Sequence, residues 1–158
     1  MWWVSYAVTA AALVVVGGVG GKATEIGPWY RSLRKPSWNP PDWAFPVVWT
    51  TIYLFIIYSV GRVWNAADPE QHGLILMLVG VNFLLNIFWS VFFFTMKKPL
   101  LALFEVLLLW LSIIAMMIGF VEIDHVSAWM LVPYLAWVSV AAVLNLSIVR
   151  LNPTSNTS

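Results

Sequence analysis

An all-α bundle of five membrane-spanning helices is the fold the sequence predicts, on three observations. The chain of 158 residues is 61% hydrophobic and only 9% charged, against about 25% charged in an ordinary soluble domain. Five apolar stretches each reach the roughly 20 residues that cross a bilayer as a helix. No run alternates as strands do, and an open sheet edge is not tolerated in lipid. A soluble domain of this size must cover itself in polar groups, and this chain has too few to do so.

The stretches run over residues 2–21, 44–64, 73–96, 99–120 and 126–149 of one membrane domain. The first has no basic leader and no small-residue cleavage site, so it reads as a retained helix rather than a signal peptide. Its Gly17, Gly18, Gly20 and Gly21 suit either close packing or a fraying end. Gly73 and Gly80, seven apart on the third stretch, hint at another close helix contact. Only Lys97 and Lys98 separate the third and fourth stretches. Pro99 then suits the first turn of the next helix, where its missing N–H costs nothing. That pair is expected to form a tight antiparallel hairpin.

Charge distribution sets the expected orientation. Lys22, Arg31, Arg34, Lys35, Lys97, Lys98 and Arg150, seven of the eight basic residues, fall on one side of a five-span topology, with Arg62 on the other. Basic loops stay in the cytoplasm, which predicts the N-terminus outside and the C-terminus inside. The net charge of +1 is not that of a nucleic-acid binder. With no Cys, disulfides and thiolate metal sites are excluded.

The segment 22–43 is the one long connection, and loops of this length in compact folds are usually functional or disordered. Trp29, Tyr30, Leu33, Trp38 and Trp43, with Pro28, Pro36, Pro40 and Pro41, point to order. It is expected to fold back as a lid over the cytoplasmic mouth.

Helical spacing then groups candidate residues on faces. Trp49 and Tyr53 share one in the second span; Asn82, Asn86 and Ser90 form a stripe in the third, with Trp89 beside it; Trp137, Ala141 and Asn145 do the same in the fifth. Polar residues at bilayer depth usually face the bundle interior. Two readings stand side by side: a cavity walled by aromatic rings, or interhelical hydrogen-bond glue. Trp2, Trp3, Trp43, Trp64 and Trp129 lie near span ends and read as an interfacial belt. Glu105 is the one acidic residue within a span. A structural ion pair or hydrogen bond toward Lys97 and Lys98 is expected for it rather than a proton relay. Glu122, Asp124 and His125 have no specific metal-ligand spacing, so no metal site is assigned. No hydrolase elbow, phosphate loop or zinc-protease motif is present.

The run WYRSLRKPSWNPPDWAFPVVW, from Trp29 to Trp49, resembles the hallmark of the translocator protein family, whose bacterial members are the tryptophan-rich sensory proteins. Asn82, Asn86 and Trp89, the segment Val132 to Trp137, and Ala141 to Asn145 fit the same pattern, so the resemblance covers nearly the whole chain. It implies a membrane receptor or sensor, commonly a homodimer, that binds protoporphyrin IX and other flat lipophilic ligands below the first loop and requires no cofactor. By position the resemblance places the pocket on Trp29, Trp38, Trp49, Tyr53, Asn86, Trp89, Trp137 and Ala141. It also implies light-dependent porphyrin degradation in some members, for which Trp29, Trp38 and Trp137 are the candidate photochemical partners. The sterol-recognition pattern of the mammalian branch lacks its central Tyr here, in Leu144 to Arg150. A porphyrin's rings suit indole walls, and its carboxylates suit Arg31, Arg34 and Lys35. Both histidines, His72 and His125, fall on the opposite side, which favours a metal-free tetrapyrrole over haem. The alternatives are a transporter of porphyrin or another lipophile, and a membrane scaffold. Paired half-helices typical of secondary transporters are not visible.

Overall fold

A computed structural model describes residues 1–24 and 27–153. Within them the spans are α1 (Val4–Ala23), then after the short helix α2 (Pro28–Ser32), α3 (Ala44–Ala66), α4 (His72–Ser90), α5 (Pro99–Val121), the short α6 (His125–Trp129) and α7 (Val132–Leu151). Among the described residues, five helical segments are long and apolar enough to cross a membrane. Their outward faces carry Val8, Val14, Leu54, Leu76, Met77, Leu108, Leu111 and Ile118, all exposed on the isolated chain. In water that surface would be untenable; in a bilayer it is the lipid contact.

Two features depart from five simple uninterrupted helices. The third span ends in a π-helical turn, Val91–Thr95, and Lys97 then adopts φ 56°. That left-handed residue lets the chain reverse at once into Pro99. The fifth span is broken rather than continuous: α6 ends at Trp129 and α7 begins at Val132. Pro133 fits the interruption, because it has no N–H to donate back to the Trp129 carbonyl and sits in the first turn of α7, where that loss is tolerated.

Helix neighbours form a closed ring in the order α1, α3, α7, α5, α4 and back to α1. Small residues allow the close approaches. A Cβ added to Gly17 would lie 2.9 Å from the Tyr53 ring, and one on Gly20 would lie 3.5 Å from the Ser90 hydroxyl. Gly73 and Gly80 face open space instead; the helix contact expected there is not made within this chain.

Polar side chains lock the ring from inside. Tyr134 donates to Asn82 Oδ1 at 3.2 Å and accepts from Asn86 Nδ2 at 3.1 Å, while Asn82 Nδ2 donates to Ser112 Oγ at 2.8 Å. Three helices, α4, α5 and α7, meet in this one network. Asn145 Nδ2 donates to the Pro99 carbonyl at 2.7 Å, and Trp110 Nε1 to Ser139 Oγ at 2.9 Å. Tyr134→Phe removes both bonds of the hydroxyl, takes the partner from Asn82 Oδ1 and Asn86 Nδ2, and should cost about 1–2 kcal/mol in a detergent unfolding titration.

At the end remote from the Lys97–Lys98 hairpin, Arg62 holds Asp124 in a two-point pair, at 3.0 and 3.1 Å. Asp124 caps α6 by accepting from the Ser127 backbone N–H at 3.0 Å, and also accepts from the Ser127 hydroxyl. Ser59 on α3 donates to the Ser127 carbonyl at 2.7 Å. Hydrogen bonding from Arg62 is the largest influence holding the Asp124 carboxyl below its ordinary value of 3.8. A depressed carboxyl contributes stability that is present above the unfolded value and lost as pH falls through the folded one. Stability should therefore drop below about pH 4, and Asp124→Asn should flatten that part of the profile in thermal melts across pH.

Candidate functional site

Two cavities lie toward the end of the bundle that carries Lys97 and Lys98. The first, of about 310 Å³, sits between the C-terminal half of α1 (Gly17, Gly20, Gly21), the start of α3 (Phe45, Pro46, Trp49, Tyr53) and α4 (Asn86, Trp89, Ser90). Small residues of α1 leave the space that the rings of α3 then wall. Its volume is at the lower end of the range for drug-sized ligands. The second, of about 20 Å³, lies between Tyr30 and Pro40 of the long connection, Phe93 and Phe94 of the π turn, and Trp137, Ala141 and Asn145 of α7. That is space for about one water-sized group. Phe45, Trp89 and Phe94 line both and separate them.

The aromatic walls are set by edge and tilted contacts, the geometry the ring quadrupole favours. Trp49 lies 5.7 Å from Tyr53 and 6.1 Å from Tyr134 between ring centres. Phe45 meets Trp137 edge-on at 5.7 Å. Trp89 is 5.9 Å from Phe93 and 6.0 Å from Phe94.

Six of the eight sequence-derived pocket residues line one or both cavities: Trp49, Tyr53, Asn86 and Trp89 the first; Trp89, Trp137 and Ala141 the second. Trp29 and Trp38 line neither. Trp29 packs edge-on to Phe93 at 5.8 Å, and Trp38 is 46% exposed. Asn86 both lines the first cavity and bonds Tyr134, so the two readings of the asparagine stripe are not exclusive. Phe45, Phe93 and Phe94 were not singled out from the sequence. Phenylalanines in an apolar span carry no pattern that distinguishes a cavity wall from a lipid face.

Residues Tyr30 and Leu33 are buried, which anchors this part of the long connection. Tyr30 lies 5.5 Å from Phe94. Asn152, just past α7, accepts from the Arg34 N–H and donates to the Arg34 carbonyl, both at 2.9 Å. Arg31 and Arg34 have exposed side chains. Lys35 is committed inward: its ammonium donates to the Tyr30 carbonyl at 2.5 Å and sits 4.2 Å over the Tyr30 ring. Desolvation lowers the Lys35 pKa, partly opposed by the charge of Asp42. Of the three basic candidates, the two arginines are therefore the better placed to meet an anion.

Glu105 corrects the sequence reading. It is 4% exposed, and neither carboxyl oxygen has a hydrogen-bond partner among the described residues. Lys97 and Lys98 are exposed on the hairpin and do not reach back along α5 to it. Asp124, one of the three residues weighed as metal ligands, is occupied by Arg62 and Ser127.

A family model for the TspO/MBR family matches residues 5–151. The chain belongs to the TspO/MBR family. It is 39% identical over 126 residues to the tryptophan-rich protein TspO of Chlorobaculum tepidum, covering 79% of this chain and 80% of that protein. It is 38% identical over 124 residues to the tryptophan-rich sensory protein of Cereibacter sphaeroides (78% and 77% covered). Identity to the human translocator protein is 32% over 126 residues (78% and 75% covered). Family membership together with five apolar helices makes this TspO/MBR protein an integral, multi-pass membrane protein.

Proposed function

We propose that this protein is a membrane receptor or sensor for flat, lipophilic, anionic ligands, with protoporphyrin IX as the representative. One observation carries the reading: a closed helix ring holds an aromatic-walled cavity of about 310 Å³, which Phe45, Trp89 and Phe94 share with a smaller space bordered by Tyr30 and Pro40 of the long connection. The sensory name of the Cereibacter sphaeroides relative supports the same class. Trp49 and Tyr53 supply stacking faces, and Arg31 and Arg34 supply bidentate donors for carboxylates at the rim. A tetrapyrrole is larger than this cavity, so seating it requires Phe45, Trp89 and Phe94 to rotate and join the two cavities. The seven basic residues at this end support a cytoplasmic placement of the mouth. Light-driven degradation, where it occurs, draws its oxidising chemistry from the excited ligand, and the protein orients the ring. Trp137 is the better-placed photochemical partner, because it faces the second cavity whereas Trp29 and Trp38 do not.

The deciding experiment titrates protoporphyrin IX into detergent-purified protein in the dark, following tryptophan quenching, and then under illumination, following the porphyrin band. Saturable binding at micromolar or lower concentration supports the reading, and a light-dependent loss of the band adds turnover. Absence of saturation sinks it. The double substitution of Arg31 and Arg34 by Gln should weaken protoporphyrin IX by about fivefold to tenfold while leaving its uncharged dimethyl ester within about twofold. Equal losses for both would remove the carboxylate role.

A further inference from the structure

Trp89 on α4 and Asn145 on α7 both line the smaller cavity, of about 20 Å³. Trp89 Nε1 and Asn145 Oδ1 are buried and have no hydrogen-bond partner among the described residues. The two side chains are 9% and 1% exposed. An unmade buried donor or acceptor forfeits its hydration without return. Here one of each belongs to the wall of a single small space.

Hydrogen bonds across the bundle put the two residues at one depth. Asn82 on α4 meets Ser112 on α5, and Trp110 on α5 meets Ser139 on α7. Along the antiparallel pair α4 and α5, seven onward from Asn82 is Trp89, opposite Glu105. Five back from Trp110 is again Glu105, now opposite Leu144 and next to Asn145 on α7. Glu105 shares this depth but does not line the cavity, and it is no part of the site.

The space admits about one water-sized group, and a small cavity that is wholly apolar stays dry, whereas a water needs two or more polar partners. An indole N–H repels a cation, and an amide oxygen repels an anion. Water accepts from the first and donates to the second. We propose that one structural water occupies this cavity, accepting from the Trp89 indole N–H and donating to Asn145 Oδ1. The bridge ties α4 to α7 on the hairpin side of the direct bond between Asn86 and Tyr134. It also fixes Trp89 as part of the wall between the two cavities. A ligand that joins the cavities must turn Trp89, break the bridge and release the water. That consequence rests on reading the cavities as a ligand site; the water itself does not.

The test observes the full chain in detergent with its eleven tryptophans labelled with nitrogen-15 at the indole. The signal that Trp89→Phe removes belongs to Trp89. In the wild type that indole proton should show a cross-relaxation peak at the water frequency, with the sign of a through-space contact rather than of chemical exchange. Ala141→Val, which fills the cavity and leaves both polar groups in place, should abolish the peak. Tyr30 also lines the cavity; a relay through its hydroxyl would vanish in Tyr30→Phe, whereas a water would stay. No peak in the wild type, a peak that survives Ala141→Val, or one lost in Tyr30→Phe overturns the bridge. Should Ala141→Val fail to fold, Asn145→Leu decides. Removing the acceptor should erase the peak and shift the Trp89 indole proton upfield, and an unchanged signal overturns the proposal. Protoporphyrin IX is then added to the wild type. Loss of the water peak on saturable binding supports release, and binding with the peak intact overturns it. A water peak without porphyrin binding upholds the bridge and discards only the porphyrin reading.

Discussion

Trp49→Ala is expected to weaken protoporphyrin IX binding by about tenfold or more, the loss that follows removal of a stacking indole from a buried wall. Trp49 forms part of the first cavity and is held in place by Tyr53 and Tyr134. Truncation would remove the ring face and also loosen the rings behind it. Trp38→Ala is the informative contrast. The sequence pattern assigns both tryptophans to the pocket, yet Trp38 is 46% exposed and lines neither cavity. Its replacement should change affinity by less than about twofold, as for surface positions generally. Equal effects at the two positions would mean that the long connection folds inward onto bound ligand. Quenching titrations of the two variants, with thermal melts to confirm folding, separate these outcomes.

Gly61→Val should be among the most destabilising single changes in the chain. Gly61 is a buried residue of α3, and a Cβ there would collide with the ring of Tyr6 on α1. That ring cannot simply swing aside: it is held edge-on by Trp2 at 6.1 Å and by Tyr58 at 5.6 Å. The close approach also supports a hydrogen-bonded seam. Asn65 Nδ2 donates to the Trp2 carbonyl at 2.8 Å and to Ser5 Oγ at 2.9 Å, and Ser5 Oγ donates to the Gly61 carbonyl at 3.3 Å. Moving α1 outward to admit a side chain breaks these bonds together. The expected loss is about 1–3 kcal/mol, read as a lower midpoint in detergent melts. Gly18→Val, where an added Cβ meets nothing within 4 Å, is the control and should lie within about 0.5 kcal/mol of a neutral change after allowing for propensity. A Gly61→Val protein as stable as the Gly18→Val control would refute the proposed contact. Partial recovery in the Gly61→Val, Tyr6→Ala double variant would locate the strain in that ring.

The two halves of the seam were unequally visible beforehand. Asn65 and Ser5 lie near span ends, where polar residues need no special explanation, and nothing in the spacing joined them. Gly73 and Gly80 had the better sequence pattern for a close contact and face open space, because a seven-residue repeat marks a shared face without saying what lies opposite. Glu105 failed for a related reason. Its distance along the chain from Lys97 and Lys98 suggested pairing, but the hairpin turns the lysines outward while the helix carries Glu105 inward.

Chain composition and the lengths of the apolar runs determined by themselves that this is a five-span membrane protein. Those properties are additive along the chain, and the bilayer acts on each helix separately. The pairing of Trp49 with Tyr53, and of Trp137 with Ala141, was likewise legible, since helical spacing alone puts each pair on one face. Only the tertiary structure decided which faces meet. It set the ring order of the helices, the break before Pro133, and the network joining Asn82, Ser112, Asn86 and Tyr134 across three spans. It also set Trp89 as the wall between two cavities and excluded Trp29 and Trp38 from both. Rotation of each helix about its axis is chosen by packing against neighbours distant in sequence, and in a chain that is apolar on nearly every face no local pattern encodes that choice.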